Sequence, residues 1–171
     1  TIFNFLGPLT NPAGARRQLI GVSDPGYVQT MAGALALLGV ERALVVTSED
    51  ALDEMSISAP TTVVEVDGTN LTTYSLRPED VGLTTAPDSA AVRGGSPQDN
   101  ADALRAIFGG ESGPRRDLAV LNAGAAIYAA GRADDLAGGV AAAQAAIDDG
   151  SATRTLDALV LRTQELAGRA A

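Results

Sequence analysis

Along the first half of the chain, apolar positions switch between two patterns, and the switches predict the elements. "QLIGV" (18–22) and "RALVV" (42–46) are short apolar runs of the length expected for strands buried on both faces. Between them Val28, Met31, Leu35 and Leu38 recur at helical spacing, after the turn chemistry of "DPG" and before a stop at Gly39. Strand, helix and strand over about thirty residues make a βαβ unit, whose crossover should be right-handed. Farther on, "TTVVEV" and "LTTYSL" flank "DGTN", a hairpin signal with Asp67-Gly68 at the turn. The opening "TIFNFLGPLTNPAGARR" is apolar but broken by Gly7, Pro8, Pro12 and Gly14, and reads as a helix end or tight loop.

After a long irregular stretch (77–95) the helical period takes over. "SPQDNADALRAIFGG" carries a full set of helix signals. Ser96 can cap it, Pro97 suits its first position, and Asp99 lies at capping-box distance. Leu104, Ile107 and Phe108 form its apolar stripe, and Gly109-Gly110 ends it. Three alanine-rich helices are predicted over 116–132, 133–150 and 152–169. No internal repeat or heptad array is present. The pattern predicts one α/β body, a mostly parallel sheet flanked by helices, with a helical carboxyl end.

Composition narrows the chemistry. With 46% apolar residues but only 4% aromatics, the core must be aliphatic, which suits helices packed on a sheet. All twelve cations are arginine, and they face 21 acidic residues for a net charge of −9. That balance argues against nucleic acid or an anionic membrane as the main partner. The absence of histidine removes the commonest general base, and the absence of cysteine removes disulfides, thiolate metal sites and a thiol nucleophile. A cysteine-free chain is compatible with the cytoplasm. No apolar run approaches the roughly 20 residues that span a bilayer. The chain opens on Thr1 in mid-pattern, so the expectation is a piece of a longer protein.

"TSEDALDE" leaves the carboxyl end of "ALVV", the end at which open α/β sheets bind ligands, and it sets Asp53 beside Glu54. Magnesium takes one or two protein carboxylates and fills its shell with water and substrate phosphate. Residue chemistry alone leaves two readings, metal ligands or a solvated acidic loop. The loop is the plainer one, because adjacent acids recur at 49–50 and 79–80. "RGGSPQD" could cradle an anion, but a capped helix explains the same letters. Arg115 and Arg116 could meet phosphate, although pairing with surface acids is the ordinary use on an acidic protein. Asn122 needs hydrogen-bond partners if internal, and a structural role is expected. Neither a Gly-x-x-x-x-Gly-Lys loop nor a Gly-x-Gly-x-x-Gly after a strand is present.

Taken together, "TIFNFLGPLTNPAGARRQLIGV", "ERALVVTSEDALDEMSISAPT", "GGSPQDNADALRAIFGGESGPRRDLAVLNAGAAIYAAG" and "AIDDGSATRTLDAL" resemble the anthranilate phosphoribosyltransferases of tryptophan biosynthesis. The resemblance implies the carboxyl-terminal part (1–171) of a phosphoribosyltransferase-type α/β catalytic domain. It implies transfer of the ribosyl phosphate of phosphoribosyl pyrophosphate to anthranilate, with Mg2+ as cofactor and a homodimer formed through an amino-terminal helical domain. Asp53 and Glu54 match the family's magnesium ligands, Glu54 serving both metal positions and Asp53 one. Gly7 and Pro8 match residues beside the aromatic substrate, so they are the substrate-binding candidates. No other residue is assigned to catalysis. The helical domain, the "GTGGD" phosphate loop and the anthranilate-contacting arginine of the family are expected upstream of Thr1. This chain departs from the family's "VVHGxDGLDE" at Thr47, Ser48 and Ala51, where His and two glycines are frequent, and those changes restrict the loop's backbone. The alternatives are a non-catalytic α/β remnant or binding module, and a nucleoside phosphorylase-like or divergent transferase with another acceptor.

Overall fold

A computed structural model describes the backbone of residues 2–169 and the side chains of residues 6–168. A helix α1 (Ile2–Leu9) leads into strand β1 (Arg17–Gly21), helix α2 (Val28–Leu37) and strand β2 (Arg42–Ser48). Strands β3 (Thr61–Asp67) and β4 (Asn70–Leu76) follow, then helices α3 (Pro97–Phe108), α4 (Pro114–Ala129), α5 (Leu136–Asp148) and α6 (Ser151–Arg169). The four strands form one sheet in the order β1-β2-β3-β4.

The β1–α2–β2 unit is parallel, as the pattern predicts, with Leu19 opposite Leu44 and Gly21 opposite Val46. The rest of the sheet is not parallel. β2 pairs β3 antiparallel, and β3 pairs β4 antiparallel, so the expectation of a mostly parallel sheet is corrected to a mixed one among the described residues. The reason is local. A parallel neighbour needs a crossover, usually helical, whereas residues 49–60 form no helix and turn the chain straight back. The hairpin after β3 closes on Gly68-Thr69, with Asp67 opposite Asn70 and a φ of 59° at Gly68, which glycine adopts without strain. Of the two readings of the opening segment, the helix end is the one found: Gly7 and Pro8 lie inside α1, in its last turn.

Both faces of the sheet are covered. Ala43 and Val45 of β2, with Val64 and Val66 of β3, pack on Val28, Met31, Ala32 and Leu35 of α2. Leu44, Val46 and Val63 face the other way, onto Val120, Leu121 and Ala125 of α4 and Val140, Ala143 and Ile147 of α5. The period-2 alternation along β2 thus feeds two cores, which is why the strand reads as an unbroken apolar run. Helices α4 and α5 meet backbone to backbone. A Cβ at Gly124 would lie 2.6 Å from Val140 N, and one at Gly139 would lie 2.2 Å from Gly124 O. The capping box of α3 is formed as expected: Ser96 Oγ accepts the Asp99 N–H, and Asp99 Oδ2 accepts the Ser96 N–H at 2.9 Å.

One polar cluster crosses the α4 face of the sheet. Glu65 of β3 accepts the hydroxyls of Tyr128 at 2.7 Å and Tyr74 at 3.2 Å. Arg42 lies 3.9 Å from the same carboxylate and stacks 5.0 Å from the Tyr128 ring centroid. Burial, then the charge of Glu65 and its hydrogen bond, push the Tyr74 phenol well above its ordinary value of 10.0. Burial and the same carboxylate raise Tyr128 as well. Because both folded-state pKa values are raised, the phenols support folding fully below the ordinary value, and the support is lost as pH climbs through the raised ones. A spectrophotometric titration at alkaline pH should therefore show the Tyr74 phenolate appearing only as far-UV circular dichroism is lost, with Tyr128 ionising above its ordinary value. Glu65→Gln should move that onset to lower pH.

Candidate functional site

The carboxyl ends of β1 and β2 meet the loop 49–60, and the loop's course follows from which of its residues can be buried. Leu52 is half-buried, Asp53 and Glu54 are exposed, and Met55 and Ile57 are fully buried in the α4–α5 core. Burying these two apolar side chains draws the loop down onto the sheet and leaves the acidic pair outside. The backbone of Asp53 passes directly over the end of β1: a Cβ at Gly21 would sit 1.4 Å from Asp53 O. Only a glycine there admits the loop, a close approach that a strand glycine often marks.

A buried irregular backbone must find hydrogen-bond partners. Asn122 of α4 supplies two. Its Oδ1 accepts the Met55 N–H at 3.0 Å, and its Nδ2 donates to Met55 O at 2.9 Å. The structural role expected of Asn122 is thereby given its content. Thr61 Oγ1 accepts the Ser56 N–H at 3.0 Å, and the Glu49 N–H donates to Pro60 O at 3.0 Å.

Asp50 gathers the loop's hydroxyls. Ser48 Oγ lies 2.6 Å from Asp50 Oδ1, while Ser56 Oγ and Ser58 Oγ donate to Oδ2 at 2.7 and 2.8 Å. Burial acts to raise the Asp50 pKa, but the hydrogen bonds from Ser48, Ser56 and Ser58 together outweigh it and hold the carboxyl below its ordinary value. The neighbouring Ala51 has a φ of 67°, in the left-handed region, and stands where the resembling family often has glycine. Thr47 is buried, and its Oγ1 has no hydrogen-bond partner. A small cavity of about 190 Å³ opens beside the loop, lined by Ser23, Thr47, Ser48, Glu49, Ala51 and Thr62.

Asp53 and Glu54 differ from Asp50 in having no partner. No hydrogen bond or ion pair engages either carboxylate among the described residues. Partial desolvation, and then the charge of Asp53, raise the Glu54 pKa above its ordinary value. Two unneutralised acids side by side favour a cation, and their hard oxygen donors match magnesium better than a soft metal. No group of three or more metal-ligating His, Cys, Asp or Glu side chains gathers among the described residues, so water or a ligand would have to complete the shell.

The remaining candidates fall elsewhere. Pro8 lines a separate cavity of about 420 Å³ with Asn11, Arg16, Gln18, Leu38 and Gly39. That cavity lies where β1 and β2 begin, whereas the acidic pair lies where they end, so the structure does not bring Gly7 and Pro8 together with Asp53 and Glu54. The "RGGSPQD" segment makes no open anion cradle, because Asn100 Oδ1 takes the Gly95 N–H at 2.8 Å and Asp99 takes that of Ser96. Arg116 pairs with Asp148 at 2.6 Å, and Arg115 donates to Arg93 O. Asp50, Gly21, Ser56 and Ser58 shape the loop without standing out in the sequence pattern. Gly21 had a visible signal, a glycine closing an otherwise apolar strand. The serines had none beyond their spacing around Asp50.

With this geometry established, comparison with known proteins is decisive for the family. Residues 1–153 match the model of the glycosyl transferase family a/b domain. The chain belongs to this family. Among curated relatives it is 50% identical, over its whole length, to the anthranilate phosphoribosyltransferase of Rubrobacter xylanophilus, of which it spans 50%. It is 53% identical over 93% of its length to that of Haloferax volcanii, of which it spans 48%. The chain therefore spans about half the length of the curated relatives it matches, and the resemblance seen in its motifs is borne out. Among solved structures, the anthranilate phosphoribosyltransferase of Thermus thermophilus superposes with a TM-score of 0.85 at 44% identity, covering 94% of this chain and 47% of that one. The Saccharomyces cerevisiae enzyme in complex with PRPP and Mg superposes with a TM-score of 0.78 at 27% identity, covering 92% and 45%. No helix among the described residues of this glycosyl transferase family member is long and apolar enough to cross a membrane.

The left-handed backbone at Ala51 generates a test of the loop itself. Ala51→Gly relieves the steric penalty of that conformation, and glycine's greater freedom in the unfolded chain offsets only part of the relief. The variant should gain roughly 0.5–1 kcal/mol in urea denaturation.

Proposed function

We propose that residues 1–171 form the carboxyl-terminal part of the catalytic α/β domain of an anthranilate phosphoribosyltransferase. In this proposal Asp53 and Glu54 hold the Mg2+ that accompanies phosphoribosyl pyrophosphate. The observation that carries the reading is the unpaired acidic couple at the carboxyl end of the sheet, in a chain half identical to enzymes of that name. In the whole enzyme the helical domain, through which a homodimer forms, and the glycine-rich phosphate loop come from sequence outside these 171 residues. The proposal places this activity in the cytoplasm.

The reaction breaks the bond between ribose C1 and the pyrophosphate oxygen and forms one from C1 to the anthranilate nitrogen. Positive charge grows on the ribose and negative charge on the leaving group. Bound magnesium supplies countercharge to the departing diphosphate. This chain's part is to keep two carboxylates at the mouth of the sheet, free of internal partners and close enough to repel one another until a cation is present. Burial of Met55 and Ile57, with the Asn122 clamp on Met55, fixes the backbone from which both carboxylates project. The chain brings no histidine to the reaction, and electrostatic shielding of the leaving group requires none. The assignment of Gly7 and Pro8 to the wall of the aromatic acceptor rests on the motif "FNFLGPLTNP" alone.

In the full-length enzyme, Asp53→Asn and Glu54→Gln should each lower turnover by about tenfold or more and shift the magnesium dependence to higher concentration. Steady-state rates across a magnesium series check this, and an unchanged dependence in both variants would remove the ligand assignment. The 171-residue chain by itself, which contains no Gly-Thr-Gly-Gly-Asp stretch, should show no loss of anthranilate fluorescence that depends on phosphoribosyl pyrophosphate.

A further inference from the structure

The hydrogen bonds of Asp50 reach farther along the chain than a surface acid needs. Its carboxylate gathers Ser48 at the end of β2 and Ser56 and Ser58 beyond the acidic pair, spanning the segment that contains Asp53 and Glu54. Each of the first two serines then passes the constraint to the backbone. Ser48 Oγ accepts the Leu52 N–H at 3.0 Å, the residue immediately before Asp53. Ser56 Oγ accepts the N–H groups of Ser58 at 2.9 Å and Ala59 at 3.2 Å. The loop is thereby tied on both sides of the pair to one ionised group, and each of the hydroxyl–carboxylate hydrogen bonds is short. Ser48 and Ser56 are themselves buried and Ser58 half-buried, so their hydroxyls need an internal acceptor, and one carboxylate serves all three.

We propose that Asp50 is a positioning residue for the metal-binding pair: it does not ligate the ion but fixes the loop so that Asp53 and Glu54 project together. The inference rests on the reading of those two acids as magnesium ligands. Outer groups that orient ligands commonly govern affinity nearly as strongly as the ligands do.

The test uses the full-length enzyme, 15N-labelled, with Mn2+ alone as the probe. Paramagnetic broadening of the Asp53 and Glu54 backbone amide signals reports binding, and amide exchange at Leu52, Ser58 and Ala59 reports the state of the loop. Asp50→Ala should weaken the apparent Mn2+ affinity by about tenfold and speed exchange at those three amides. Asp50→Asn, which keeps the shape and one carbonyl acceptor, should fall between Asp50→Ala and wild type and guards against simple unfolding. Ser96→Ala, which removes the cap of α3 far along the chain from this loop, should lower the melting temperature and leave Mn2+ affinity unchanged. If both Asp50 variants bind Mn2+ within twofold of wild type while Glu54→Gln abolishes the broadening, Asp50 is not a positioning residue. If Ser96→Ala weakens binding as much as Asp50→Ala, the effect is one of general stability and the proposal fails. If Glu54→Gln leaves the broadening intact, the ligand reading falls instead and takes this inference with it.

Discussion

The structure at the carboxyl end of the sheet depends on burying an irregular backbone. Met55 and Ile57 supply the apolar drive, but the peptide groups they carry inward would be destabilising unless each found a partner. Asn122, Thr61, Ser48 and Ser56 provide those partners, and Asp50 in turn holds two of the serines and Ser58. Once that requirement is met, nearly every polar group of the loop is committed. Among the described residues the loop's unengaged carboxylates are those of Glu49, Asp53 and Glu54, and only the last two are adjacent. Their availability is a consequence of how completely the rest of the loop has been satisfied.

The mixed sheet has the same origin. Had residues 49–60 formed a crossover helix, β3 would have run parallel to β2 and its start would lie at the opposite end of the sheet. Because the segment folds back, the end of β2 and the start of β3 are neighbours, with Ser48 opposite Thr61. Asp50 can then reach both Ser48 and Ser58, and Thr61 can accept the Ser56 N–H. The antiparallel reversal and the hydroxyl cluster are two descriptions of one turn.

The elements with strong local signals were legible in the sequence. The βαβ unit, the Gly68 hairpin, the Ser96-Pro97-Asp99 start of α3 and the three alanine-rich helices appear within a few residues of where periodicity and caps place them. Strand direction between β2 and β3 was not legible, because it depends on whether an irregular connection reverses or crosses over, and no residue in 49–60 announces either. The acidic pair was legible as a candidate from its place after β2, and the motif favoured it over a solvated loop; its lack of partners is a tertiary fact. Asp50 looked like one more member of a chance acidic run, since side chains eight residues apart in an irregular loop share no period that a pattern can register.

The departures at Thr47 and Ala51 bear on how firmly this conformation is imposed. Thr47 buries a hydroxyl oxygen without a partner, and Ala51 holds a positive φ that an L side chain resists; each is a cost of order 1–2 kcal/mol. A loop free to relax would relieve the second by moving Ala51 into an ordinary region. It is prevented from doing so on three sides. Gly21 lies against the Asp53 backbone, Asn122 grips Met55, and Asp50 ties Ser48 to Ser58. Strain that persists under such over-determination is what a site needs when two like charges must stay side by side, because a softer loop would let Asp53 and Glu54 swing apart and lower their repulsion. The rigidity of the loop and the side-by-side placement of its two acids are therefore the same property, set by hydrogen bonds that touch neither carboxylate.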